Sequence, residues 1–118
     1  MSPKDRDRVY VAHMLDCIER IFDYCENDEI KFRSSRLIQD AVIRNLQTMA
    51  ESAQRLSDNS KALAPELPWR AISGFRNVVV HDYLGLDLQA VWLVVASHLP
   101  SLKIGLEKIQ VKIERSNS

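Results

Sequence analysis

The sequence predicts an all-α protein, an antiparallel bundle of about five or six helices. One indication is composition, because only 3 glycines and 4 prolines among 118 residues leave few turns for a β-rich fold. Another is periodicity, because apolar residues recur every three or four positions, as they do on the buried face of a helix. With 46% apolar residues, we expect residues 1–118 to form one domain around a single core.

The first helix is predicted from about Lys4 to Glu26. Ser2 is a typical cap, and Pro3 suits the first helical position because its missing N–H has no partner to lose there. Its apolar stripe consists of Val11, Leu15, Ile18, Phe22 and Cys25.

A break after this helix leads into the second long helix. We expect Ile30 and Phe32 to pack inward on a short irregular turn. Ser34 or Ser35 then caps a helix that runs to about Ser57, because apolar residues again recur at spacings of three and four.

The second half of the chain is divided by prolines. Pro68 suits the start of a helix whose apolar positions are Trp69, Ile72, Phe75 and Val79. The β-branched run 78–80 makes a strand the competing interpretation, but it is short and has no partner strand, so we predict helix. Residues 91–96 are apolar on every side, which predicts a helix that is buried all round or shared with a second subunit. Pro100 is expected to end that helix and begin the last one.

The two cysteines are predicted to be buried free thiols. Cys17 and Cys25 are eight residues apart on one predicted helix, about 12 Å along its axis. That separation is too large for a disulfide bond, and the spacing does not match that of metal-binding cysteines. We therefore expect neither a metal site nor a cofactor.

Charge and hydropathy bear on location and partners. The chain lacks an apolar run of about 18 residues and begins with alternating charges, so we expect a cytoplasmic protein without a membrane span. The net charge is zero, but residues 1–30 carry four basic and eight acidic side chains, whereas residues 31–76 carry eight basic and four acidic ones. The basic excess either is a solvated helix surface or faces an anionic partner.

Residues 75–83 concentrate most of the chemically active side chains. Arg76, Asn77, His81 and Tyr83 supply a guanidinium, a carboxamide, an imidazole and a phenol within eight positions. On a helix Asn77 and His81 share one face, and the long side chain of Arg76 can reach toward them.

These side chains suit the cleavage of RNA, whose own 2′-hydroxyl is the nucleophile. The reaction needs a base for the hydroxyl proton, a cation for the phosphorane and an acid for the leaving 5′-oxygen. His81 suits the role of base or acid, Arg76 matches the phosphate oxygens, and Asn77 can orient the imidazole or donate to the phosphate. In a single chain, His81 alone would have to act as both acid and base. Two chains that face each other across a dimer would supply one histidine for each role. The structural alternative is that these groups cap carbonyls or pair with nearby acids such as Asp82 or Asp87.

Several separated segments resemble the HepT-like family, which comprises HEPN-domain toxins of toxin–antitoxin pairs. The motif Arg-x-x-x-x-His-x-Tyr falls on Arg76, His81 and Tyr83 without a gap. The segments that carry the resemblance are Leu37–Leu46, Met49–Ala53, Pro65–Arg70 and Arg76–Tyr83.

The resemblance implies a HEPN-like homodimer that acts as a metal-independent endoribonuclease. It assigns Arg76 and His81 as the catalytic pair and Asn77 as their polar neighbour. It also implies an antitoxin partner, a minimal nucleotidyltransferase that transfers AMP from ATP onto Tyr83 and so neutralises the toxin. The alternative is a binding module that serves only as the target and regulatory partner of that enzyme. His13 and His98 lie outside the motif and are expected to be structural or exposed.

Overall fold

The structure is a computed structural model that describes residues 2–80 and 87–115, with only the backbone for residues 77–80. Its α-helices are α1 (Pro3–Cys25), α2 (Glu29–Ser34), α3 (Arg36–Arg55), α4 (Asp58–Lys61), α5 (Trp69–Val80), α6 (Leu88–Leu93) and α7 (Leu99–Arg115). The described residues contain no strand, and 78–80 are helical, so the all-α prediction is confirmed. None of the helices in these ranges is long and apolar enough to span a membrane.

The ends of α1 agree with the predicted cap. The Ser2 side chain accepts a hydrogen bond of 3.1 Å from the backbone N–H of Asp5. At the other end Glu26 adopts a left-handed conformation with φ of 50° and donates its N–H to the carbonyl of Phe22 at 2.8 Å. Each end of the helix therefore has a hydrogen bond that satisfies one of its free backbone groups.

The irregular turn predicted around residue 30 is instead the short helix α2. The Asp28 side chain caps it by accepting from the N–H groups of Ile30 and Lys31 at 3.0 and 3.2 Å. Phe32 is buried as expected, but Ile30 is 79% exposed, so its inward placement was wrong. On a helix two residues that are two positions apart point in different directions, so Ile30 and Phe32 cannot share one face.

The N-terminal caps of α3 and α4 are serines. Of the two candidates for α3, Ser35 is the cap, and its side chain accepts from the N–H of Ile38 at 3.2 Å. The helix ends at Arg55 rather than Ser57, because Ser57 caps α4 by accepting from the N–H of Ser60 at 3.2 Å. The connection from α3 to Pro68 therefore begins with one helical turn, α4.

Helix α1 is the centre of the bundle. It packs against α3 on one side and α7 on the other, and α5 packs against α3. His13 meets Ser52, whereas Tyr24 and Ala41 line the same groove farther along, so α1 and α3 run antiparallel. The core is apolar throughout its centre and includes Val11, Met14, Ile18, Ile21, Phe32, Val42, Met49, Ile72, Leu99, Leu106 and Ile109.

The break predicted at Pro100 does not occur. Helix α6 continues into α7 through a π-helical turn, Val94–His98, in which Leu99 donates its N–H to the carbonyl of Val94. A proline inside an α-helix lacks one N–H and crowds the carbonyl of the preceding turn. The wider π turn directly before Pro100 accommodates this residue, and the helix continues.

The apolar run 91–96 is not buried all round. Val91 and Val95 are buried, but Leu93 is 51% exposed and Ala96 is exposed as well. Burial on all sides was therefore wrong for this chain alone, and sharing of this surface with a second subunit stays a prediction.

Asp7 is a charged side chain inside the bundle, only 4% exposed. Its carboxylate accepts from the N–H of Ser57 at 3.1 Å, from the Ser57 hydroxyl and from the Ser60 hydroxyl at 2.6 Å. These bonds fasten the turn between α3 and α4 to the first turns of α1. A buried carboxylate needs such donors to offset its lost hydration.

We predict that Asp7→Asn lowers the free energy of unfolding by about 2–3 kcal/mol, because the variant loses the charge and one acceptor oxygen while the Ser57 and Ser60 donors remain buried. Urea titration followed by circular dichroism measures the change. The matched control Asp23→Asn replaces an exposed carboxylate of the same helix and should stay within about 0.5 kcal/mol. Equal effects for the two variants would contradict the role given to Asp7.

Candidate functional site

Arg76 lies on the side of α5 that faces the core. It follows Ile72 by one helical turn, and residues four apart share a face. Ile72 is 1% exposed, whereas Arg76 is exposed. This face of α5 is therefore buried by the rest of the bundle at Ile72 but exposed to solvent one turn later, at Arg76.

The first turns of α5 are fixed by contacts with the rest of the bundle. The Trp69 indole N–H donates to the carbonyl of Ala64 at 3.1 Å, and the Gln54 amide on α3 donates to the carbonyl of Ser73 at 3.4 Å. Ile72, which lies between these two contacts, is buried. The first turns of α5 are therefore held in place, and they position the backbone of Arg76. A rigid element positions a functional side chain more accurately than a loop does.

The Arg76 guanidinium has no hydrogen bond or ion pair with any other residue that the structure describes. By comparison, Lys31 pairs with Glu26 at 2.8 Å, and Arg33 pairs with Glu29 at 2.7 Å. Part of the basic excess of residues 31–76 is thus neutralised within the fold, but none of the described acidic side chains neutralises Arg76. An exposed guanidinium of this kind can bind an anionic ligand without first breaking an internal pair.

The other residues of the motif lie wholly or partly outside the described residues. Asn77 follows Arg76 within the backbone of α5, and its side chain lies outside the description. His81, Asp82 and Tyr83 also lie outside the described residues. The contact expected between Asn77 and His81, and the roles of His81 and Tyr83, stay predictions.

The two histidines outside the motif lie as expected. His13 is structural: its Nδ1 is 2.7 Å from the Ser52 hydroxyl and its Nε2 is 3.8 Å from the Cys17 sulfur. His98 is exposed.

Both cysteines are buried and free, which confirms the prediction made from their spacing. Burial raises the pKa of both thiols above the usual value. Asp16 raises the pKa of Cys17 further, and Arg20 lowers it. Within residues 2–80 and 87–115, no group of three or more histidine, cysteine, aspartate or glutamate side chains is arranged to hold a metal ion.

A polar groove between α1 and α3 was missed by the sequence analysis. It is lined from α1 by His13, Cys17, Arg20 and Tyr24, and from α3 by Ala41, Asn45 and Thr48. The pattern was present in the sequence, because these positions recur every three or four residues beside each apolar stripe. A search for apolar periodicity alone does not detect it.

The described residues place this chain in the class of all-α bundles, with an exposed arginine, Arg76, on α5. The family comparison narrows this class, because the model for "Ribonuclease HepT-like" proteins matches residues 14–109. The chain belongs to the HepT-like ribonuclease family.

Individual relatives agree with this assignment. The chain is 32% identical over 105 residues to "Probable ribonuclease HepT" of Thermococcus cleftensis, covering 86% of this chain and 93% of the relative. It is 26% identical over 108 residues to "Putative RNase MJ1380" of Methanocaldococcus jannaschii, covering 91% and 98%. It is also 30% identical over 112 residues to "Gamma-glutamylcyclotransferase and putative RNase MJ0434" of the same organism, covering 94% of this chain but only half of that relative. No solved structure matches the chain.

We predict that both thiols react slowly with iodoacetamide in the folded protein. A raised pKa leaves less thiolate at neutral pH, and burial blocks access. The rate, followed by mass spectrometry, should still rise with pH where that of a free cysteine has levelled off. Protein unfolded in urea is the control and should be alkylated fully. Fast alkylation of the folded chain at pH 7 would contradict the burial of Cys17 and Cys25.

Proposed function

We propose that this protein is the toxin of a toxin–antitoxin pair, an endoribonuclease that cuts RNA without a metal ion. Arg76 binds the scissile phosphate, His81 transfers protons as base or acid, and Asn77 orients the imidazole. The single observation that supports this best is the exposed guanidinium of Arg76, which has no partner among the residues that the structure describes, in a chain of the HepT-like ribonuclease family.

The reaction follows from the chemistry of RNA itself. A base removes the proton of the 2′-hydroxyl, and the oxygen attacks the adjacent phosphorus to form a phosphorane. The bond from phosphorus to the 5′-oxygen then breaks, and an acid protonates the leaving oxygen. The products are a 2′,3′-cyclic phosphate and a 5′-hydroxyl. An arginine stays charged throughout and stabilises the extra negative charge of the phosphorane.

The reaction needs a base and an acid, which is one reason to propose a homodimer. Two chains would supply two copies of His81 and of Arg76 around one phosphodiester. The partly exposed apolar surface of α6, which includes Leu93, offers a candidate contact between subunits. Apolar side chains that remain exposed on one chain are typical of such contacts.

Regulation is proposed to act through Tyr83. A minimal nucleotidyltransferase would transfer AMP from ATP to the phenol oxygen, releasing pyrophosphate. The adduct adds a bulky phosphodiester two residues beyond His81 and would hinder RNA by size and by charge repulsion. Since RNA and ATP are its proposed partners, we place the protein in the cytoplasm.

We predict that His81→Ala and Arg76→Ala each lower the rate of RNA cleavage by at least about 100-fold, because a proton-transfer group or a phosphate clamp contributes on that order. Cleavage of labelled RNA in EDTA measures the effect, and circular dichroism checks the fold. The matched control is Arg70→Ala, which removes another exposed arginine of α5 and should change the rate less than about twofold.

Two outcomes separate the ribonuclease from a binding module. Full activity in either motif variant would reject the catalytic roles. A wild-type chain that leaves RNA intact but is modified by its nucleotidyltransferase would identify the protein as a regulatory partner instead.

A further prediction concerns Tyr83→Phe. The variant keeps RNA cleavage, because the phenol takes no part in the proton transfers, but it should not accept AMP. Intact mass before and after incubation with the cognate nucleotidyltransferase and ATP provides the test. Tyr24→Phe is the control and should be modified like the wild type. An AMP adduct on the Tyr83→Phe chain would show that another residue is the target.

A further inference from the structure

The polar groove between α1 and α3 has the size and lining of a ligand site. Its volume is about 420 Å³, within the range of roughly 300–1,000 Å³ that is typical of small-molecule sites. Its lining residues belong to α1 and α3, and Arg76 of α5 is not among them. The groove is therefore separate from the site proposed around Arg76.

An imidazole held in a fixed orientation lies at one end of the groove. His13 contacts the Ser52 hydroxyl through Nδ1 at 2.7 Å and the Cys17 sulfur through Nε2 at 3.8 Å. Ser52 and Cys17 are both buried. The imidazole is therefore held by partners on both helices, Cys17 of α1 and Ser52 of α3.

The polar side chains of α3 do not fill the groove, because they form hydrogen bonds with their own helix. The Asn45 amide donates to the carbonyl of Ala41 at 2.8 Å, and the Thr48 hydroxyl donates to the carbonyl of Arg44 at 2.8 Å. Both side chains are thus held against their own helix instead of reaching across to α1. The second N–H of the Asn45 amide is left to donate to a ligand.

Two arginines stand at the rims of the groove, one on each helix. Arg20 of α1 pairs with Asp16 at 3.1 Å, and both side chains are more than half exposed, at 60% and 55%. Such an exposed pair contributes little and is easily exchanged for another anion. Arg44 of α3 is exposed and makes no ion pair with any residue the structure describes. The lining therefore carries two guanidinium groups against one carboxylate.

We propose that this groove binds a phosphate group, held between Arg44 and Arg20 with the Asn45 amide as an additional donor. A guanidinium matches two phosphate oxygens at once, and both arginines belong to the lining of this one groove. The phosphate belongs either to a free nucleotide or to an RNA strand. The second source rests on the proposed function.

The test is a titration of the full ¹⁵N-labelled chain followed by NMR, with inorganic phosphate, AMP and a 2′-O-methyl RNA oligonucleotide as probes. Shifts of the Arg20, Asn45 and Thr48 amides should saturate. Arg44→Gln should weaken binding at least about tenfold, the amount expected for loss of a charged hydrogen bond. The control Arg36→Gln, another exposed arginine of α3 outside the groove, should weaken it less than twofold.

A second pair of variants separates the effect of an added negative charge from the effect of a larger side chain. Thr48→Glu places a carboxylate in the groove and should abolish binding of all three probes, whereas Thr48→Gln has the same size and should bind within about threefold of wild type. Binding of phosphate and AMP at similar strength to the oligonucleotide indicates a nucleotide site. Much tighter binding of the oligonucleotide indicates RNA.

Several results would overturn the proposal: no saturating shift with any probe, or equal losses for Arg44→Gln and Arg36→Gln, or equal losses for the two Thr48 variants. None of the probes is cleaved, so the outcome does not depend on activity. Loss of cleavage in His81→Ala with unchanged phosphate binding would separate the two sites. If wild type fails to cleave RNA, the titration still decides whether the groove binds phosphate.

Discussion

The antiparallel packing of α1 against α3 is the interaction on which the rest of the structure depends. It buries the apolar stripes of both helices, supports α5 through α3, and brings α7 onto the other side of α1. Asp7 fastens the end of this contact by holding the Ser57 turn. Because α5 is placed through α3, the position of Arg76 also depends on this contact.

The sequence predicted the helices well wherever a local rule decides the structure. Ser2 at the start of α1 and Ser35 before α3 are caps because a short hydroxyl side chain there accepts an N–H that has no other partner. Prediction from the sequence failed where the structure of a residue depends on the residues that surround it in the fold. Ile30 was expected inside on its hydrophobicity alone, and Pro100 was expected to break a helix that a π turn keeps continuous.

The residues of the candidate site could be predicted from the sequence, but the exposure of the Arg76 side chain could not. Spacing and the family resemblance selected Arg76, whereas the opening of the core-facing side of α5 beyond Ile72 is a property of the packed bundle. The polar groove, by contrast, was not predicted, although its residues follow a regular pattern in the sequence. His13, Arg20 and Asn45 lie at regular helical spacings, but only the pairing of α1 with α3 brings their stripes together.

We propose that Arg76 and His81 cleave RNA by using the 2′-hydroxyl of the substrate. Analysis of the fragment ends after cleavage in excess EDTA tests this most directly. We expect 2′,3′-cyclic phosphate and 5′-hydroxyl ends at an undiminished rate, and no cut where a single 2′-deoxynucleotide replaces the nucleotide before the scissile bond. Fragments with 5′-phosphate ends, cutting at the 2′-deoxy position, or loss of cleavage in EDTA would contradict the mechanism.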